Sequence, residues 1–148
     1  MTLFFPDLNV WLALSVEGHI HNEPAWRWLQ SQPDESRLIF SRFTQIGLLR
    51  LMTNSAAMNE RVLTVREAWN VYHGWLKDPR VEFYPEPRTI DAEFREALEP
   101  FAGKTASKWV GGCWLLAFAA GAGAKLVTFD KALFDFGRKW GQAVVIPQ

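Results

Sequence analysis

Two rhythms of apolar and polar residues alternate along this 148-residue chain, and the switches between them predict its elements. Five short apolar runs have the length of strands: Leu3–Phe5, Leu38–Ser41, Val81–Tyr84, Lys125–Phe129 and Val144–Pro147. Pro6 closes the first run and Pro85 and Pro87 close the third, because proline cannot donate to a ladder. Between these runs the apolar residues recur at helical spacing. His21–Gln32 carries Ala25, Trp28 and Leu29 on one face, with Asn22 expected as N-cap and Pro24 in the first turn. Phe43–Asn54 predicts a helix with Ile46, Leu49 and Met52 inward. Thr64–Asp78 predicts another, with Val65, Trp69, Tyr72 and Leu76 inward behind a Thr64-x-x-Glu67 capping box. Ile90–Phe101 reads as helical up to Pro100, followed by a polar loop at 103–108, a helix over Trp109–Ala120 and a short one over Lys131–Gly137. The glycine-rich Ala119–Lys125 ends a helix, so it reads as a C-cap and turn and not as a phosphate loop.

Strands alternating with helices of ten or more residues imply right-handed crossovers and a mainly parallel sheet covered on both faces, the α/β class. In such sheets the ligand crevice lies beyond the carboxyl ends of the strands. Asp7 follows the first strand and Asp130 the fourth, so both acids are expected at that edge. No internal repeat, low-complexity run or linker is visible, and residues 1–148 are expected to form a single domain.

Charge narrows the picture only slightly. Sixteen basic and sixteen acidic residues cancel, so any nucleic-acid contact must come from a local patch. One cysteine, Cys113, lies inside an apolar helical pattern, which excludes a disulfide framework and suits an inert buried thiol in a reducing compartment. The N-terminal stretch has no basic leader and holds Pro6 and Asp7 inside its apolar run; a cytoplasmic protein without a membrane span is expected. Eight tryptophans are many for this length; Trp26, Trp28, Trp69, Trp75, Trp109 and Trp140 suit either the core or a partner surface.

Two carboxylates brought together repel one another unless a divalent cation neutralises them. Oxygen ligation selects Mg²⁺ or Mn²⁺, ions that act on phosphate groups. Each acid has a second reading, since Asp after a strand is a common N-cap and Asp130 directly precedes a predicted helix. Spacing leaves both readings open. His19 and His21 lack a third ligand and read as loop histidines, and no nucleophile elbow or Walker loop is present. Arg42, Arg50, Lys104 and Lys108 are the cations best placed for phosphate contact, with an ordinary solvated surface as the alternative.

The segments FPDLNVWLAL, FTQIGLLRLMTN and KLVTFDKALFDF, in this order and separation, resemble the PIN-domain family, in particular the VapC-type toxins of bacterial toxin–antitoxin pairs. The resemblance extends over nearly the whole chain. It implies an α/β/α sandwich around a parallel sheet and an acidic cluster that binds Mg²⁺ or Mn²⁺ for endoribonuclease activity on RNA. It also implies a homodimer and an antitoxin partner that inserts a segment into the acidic groove. Carried onto this chain, the metal-binding and catalytic acids are Asp7 and Asp130, supported by Asn9 and Thr128. Two further acids usual in the family are missing: the region of the second holds Gln45 and Gly47, and the position of the third holds Gly112. Three functions therefore stand side by side: a metal-dependent ribonuclease, a degenerate domain that binds antitoxin or RNA without cleavage, and an unrelated Rossmann-like regulatory domain.

Overall fold

The computed structural model describes residues 1–142 and 144–147. Its strands are β1 (Leu3–Pro6), β2 (Arg37–Phe40), β3 (Val81–Phe83), β4 (Lys125–Val127) and β5 (Val144–Val145). They form one sheet in the order β3-β2-β1-β4-β5, with every pairing parallel. Pro6 pairs with Val127 and Phe40 with Phe83, so the carboxyl ends of β1–β4 finish in register along one edge.

Alternation along each strand sends successive side chains to opposite faces. Phe4, Leu38, Phe40 and Val127 pack with α1 (Leu8–Ser15), α2 (Asn22–Gln30), α3 (Arg42–Met52) and α5 (Val65–Lys77). Phe5, Ile39 and Leu126 pack with α6 (Ile90–Leu98), α7 (Ser107–Ala122) and α8 (Lys131–Lys139). The result is a three-layer α/β/α sandwich. Aromatic packing anchors the first layer, where Trp11 lies flat on Phe40 at 3.8 Å between ring centroids. A short helix, α4 (Ser55–Met58), and two single 3₁₀ turns, Asn59–Arg61 and Glu99–Phe101, complete the connections. Gly123 takes φ +67° at the C-terminus of α7, the left-handed cap expected there.

Four expectations shift. Helix α1 is not announced by periodicity, because LNVWLALS is apolar on nearly every side and buries Val10, Trp11, Ala13 and Leu14. Its capping residue is Asp7. In α3 the inward residues are Thr44, Gln45, Leu48 and Met52, whereas Ile46 is 48% exposed; the buried stripe takes in two polar residues, and Thr44 also closes a capping box with Ser41. At α2 the N-cap is His21; Asn22 is the first helical residue and donates its amide to Ala13 O at 2.7 Å, tying α2 to α1. The Thr64–Glu67 capping box is present as expected. Val65 and Trp69, expected inward on α5, are largely exposed, and Ala68 and Tyr72 take the buried positions. Cys113 is buried against Ala97 O, and desolvation pushes its thiol up to about 11. No helix among the described residues is long and apolar enough to cross a membrane.

Candidate metal and phosphate site

Asp7 leaves β1 with its N–H still bonded to Val127 O of β4 at 2.8 Å, so the sheet itself fixes its backbone. Its carboxylate then turns to cap α1, Oδ1 accepting from Leu8 N–H. Oδ2 accepts from the Thr128 hydroxyl at 2.8 Å. That hydroxyl in turn accepts from the backbone N–H of Asp130 at 3.0 Å and from Asn9 Nδ2 at 3.4 Å. The Asn9 carbonyl closes the ring by accepting from Phe129 N–H at 3.3 Å. Thus Asp7, Asn9, Thr128 and Asp130 meet in one hydrogen-bonded network between the ends of β1 and β4. Thr128 is fully buried and Asp7 nearly so, whereas Asp130 is exposed.

Burial pushes the Asp7 pKa above the ordinary carboxylate value; the bonds from Thr128 and Leu8 pull it back, and the negative charge of Asp130 adds to the rise. The Asp130 side chain also serves as N-cap, its Oδ1 accepting from Leu133 N–H at 3.1 Å. Both acids are therefore caps and also neighbours in an anionic site. Capping consumes one lone pair on an oxygen that has others, so the two roles are compatible.

The residues that surround the acids differ in use. Asp135, the nearest spare acid along α8, pairs with Lys131 at 3.8 Å on the exposed helix surface. No group of three or more His, Cys, Asp or Glu side chains suited to a metal ion occurs among the described residues. At Gly47 an added Cβ would meet the Leu8 methyls at 2.5 Å, and at Gly112 it would meet Leu133 Cδ1 at 3.0 Å. Aliphatic side chains of the residues that follow the two acids thus occupy the space toward both glycines. Mg²⁺ commonly uses one or two carboxylates and completes its shell with waters and substrate phosphates. The donor set here fits an ion held in that manner, by Asp7 and Asp130, and not an all-protein cage.

The cations fall into two groups. Arg42 opens α3 directly beyond β2, on the same edge as the acids; it donates to Gln45 Oε1 at 2.6 Å and lies over the Phe83 ring at 4.7 Å. Lys108 lies in the first turn of α7 and Lys104 in the preceding loop. Arg50 lies in the last turn of α3, roughly 12 Å along the helix from Arg42 at 1.5 Å per residue. His19 and His21 are half-buried: His19 Nδ1 accepts from His21 N–H at 3.0 Å, and the His21 ring stacks on Phe129 at 4.5 Å. Desolvation, then the charge of His21, lowers the pKa of His19. The Gln45–Arg42 pair was legible as an i,i+3 spacing on a helix, whereas Phe83 and the His21–Phe129 stack carry no local sequence signal.

A parallel α/β/α sandwich carries these carboxylates at the β1 and β4 ends, and the PIN-domain family model matches residues 4–139. The chain belongs to the PIN-domain family. Among its relatives, the Ribonuclease VapC41 of Mycobacterium tuberculosis is 36% identical over 135 residues, covering 88% of this chain and 91% of that protein. Ribonuclease VapC39 of the same organism is 29% identical over 132 residues, covering 87% and 89%. Two solved structures share the fold at low identity. VapBC2 from Rickettsia felis, bound to a promoter DNA fragment, superposes with TM-score 0.70 at 10% identity, covering 99% of this chain and 100% of that one. The sarcin-ricin loop cleaving toxin VapC20 of M. tuberculosis gives 0.65 at 16% identity, covering 89% and 93%.

Proposed function

We propose that this protein is a VapC-type endoribonuclease toxin that hydrolyses RNA phosphodiester bonds with the support of Mg²⁺ or Mn²⁺ held by Asp7 and Asp130. The observation that carries the reading is the Thr128 hydroxyl, which links the Asp7 carboxylate to the backbone of Asp130 across two strands. A bound divalent ion supplies Lewis-acid polarisation of a phosphodiester oxygen and acidification of a water. The protein's own part is placement. Thr128 and Leu8 N–H fix both oxygens of Asp7, Asn9 holds the β4–α8 turn, and Asp130 leaves its carboxylate exposed beside them. The raised pKa of Asp7 fits a group whose negative charge calls for a counter-ion. Relatives named ribonucleases, and neighbours solved as VapBC pairs, support an RNA substrate and an antitoxin partner. Phe43, Ile46 and Val110, between 43% and 48% exposed, support a homodimer by offering apolar surface. A cytoplasmic location accords with the single reduced cysteine.

A second reading is favoured by one observation: Gly47 and Gly112 face Leu8 and Leu133 where further carboxylates are expected. In that reading the domain keeps its partners and has lost hydrolysis. Incubating structured RNA with the wild type, with and without EDTA, and with Asp7→Asn separates them. Chelator-sensitive cleavage absent from Asp7→Asn supports the ribonuclease. No cleavage at high protein concentration, with RNA or antitoxin still bound, supports the second.

A further inference from the structure

The Arg42 guanidinium is fixed but not neutralised. Fixed arginines are ordinarily paired with carboxylates, yet among the described residues Arg42 enters no ion pair. Its two holders are neutral. Gln45 accepts from Nη1 at 2.6 Å, and the face of Phe83 lies 4.7 Å from the guanidinium carbon. Gln45 is itself held in place: it is 5% exposed, on the inward face of α3. Arg42 is nevertheless exposed. An arginine whose rotamers are already restricted, with free N–H donors facing water, loses less entropy on meeting an anion than a freely moving one.

Its position gives the anion an identity. Asp130 follows β4, Asp7 follows β1, and Arg42 follows β2 on the same edge, with neighbouring strands about 4.8 Å apart. Running along the edge, the charge changes from anionic at β4 and β1 to cationic at β2, where Arg42 reaches over Phe83 of β3. Gln45 lies in the region where the family resemblance leads one to expect a carboxylate. A carboxylate there would neutralise Arg42; the amide orients it and leaves its charge intact.

We propose that Arg42, held by Gln45 and Phe83, binds a phosphate of the RNA strand adjacent to the one placed at Asp7 and Asp130. This rests on the RNA substrate proposed above, and it is independent of whether the strand is cut. A guanidinium offers two parallel donors to phosphate oxygens, so lysine is an incomplete substitute.

The test is fluorescence anisotropy of a short fluorescein-labelled single-stranded RNA, titrated with protein in EDTA so that no hydrolysis occurs, over a range of salt concentrations. Arg42→Ala is expected to weaken binding about tenfold and to lower the salt slope by about one. Arg42→Lys recovers only part of the affinity. Gln45→Ala and Phe83→Leu, which remove no charge, each weaken binding by about threefold, the scale of a lost hydrogen bond or cation–π contact. Arg50→Ala, an equal loss of charge at the far end of α3, leaves binding within twofold, and thermal melts confirm folding of each variant. Equal effects of Arg42→Ala and Arg50→Ala, or wild-type affinity in Arg42→Ala, overturn the proposal. If Arg42→Ala is silent while the wild type still cleaves RNA, only this inference falls. If the wild type binds through Arg42 and never cleaves, the inference stands and hydrolysis falls. If the wild type binds no RNA, both fall.

Discussion

The two halves of the sheet's carboxyl edge solve opposite electrostatic problems in the same manner. At β1 and β4, two carboxylates are held by neutral donors: backbone N–H groups and the Thr128 hydroxyl. At β2 and β3, one guanidinium is held by a neutral amide and an aromatic face. Neither half uses the other to neutralise itself. Internal salt bridging would have been the stabilising choice for a purely structural edge, since unpaired charge near a protein interior is costly. The contrast is what the proposed ligand pair, a cation together with a phosphate, would require of the edge: each sign is held by neutral partners and left available.

The largest expected effect comes from neutralising the anionic half. Asp7→Asn is expected to reduce RNA cleavage at least about a hundredfold, on the scale of losing a positioned electrostatic group. It is also expected to raise Tm at neutral pH by a few degrees, as replacement of strained functional groups often does. The sign follows from the raised pKa. Burial disfavours ionised Asp7 in the folded chain, so its cost is absent at low pH, grows as pH rises above the ordinary value of 3.8, and levels once the raised folded value is passed. Thermal melts of wild type and Asp7→Asn should therefore coincide near pH 3 and separate by pH 7. A Tm of Asp7→Asn below that of wild type at pH 7 would show that the carboxylate is a structural asset instead.

Restoring a ligand is the next sharpest intervention. Gly112→Asp adds a third carboxylate, and the atom its Cβ meets at 3.0 Å is the far end of the flexible Leu133 side chain. Mn²⁺ affinity is expected to rise roughly tenfold or more, the scale on which individual contacts in a metal site act. Isothermal titration of the variant checks it. A smaller effect is expected from Thr128→Val, which leaves Asp130 N–H and Asp7 Oδ2 without their shared partner. It should cost about 1–3 kcal/mol in chemical denaturation, since the buried Asp7 oxygen and the partly buried Asp130 N–H both lose a bond.

The fold was legible wherever the two periodicities were distinct. The five strands could be read as short apolar runs of strand length, and the helices at 21–32, 64–78 and 131–137 from apolar residues recurring at helical spacing. Helix α1 was hidden because its burial is nearly uniform, and a helix covered on most sides carries little periodic contrast. The face of α3 was misjudged at Ile46 because its buried stripe includes the polar Thr44 and Gln45, which an apolar pattern does not mark as inward. At the site, strand ends pointed to Asp7 and Asp130, and the family pattern added Asn9 and Thr128. What no reading of spacing could supply was the shared hydroxyl, since residues 7 and 128 are 121 positions apart. Nor could it show Leu8 and Leu133 lying against the two glycines, which is a property of packing alone.

The most direct test is a calorimetric Mn²⁺ titration of wild type, Asp7→Asn and Asp130→Asn. Asparagine keeps both helix caps and removes only the charge, so folding and ligation are separated. The expected result is weak, stoichiometric binding in the wild type that each replacement abolishes. Heat of binding that persists unchanged in both variants would show that the two acids do not share a cation.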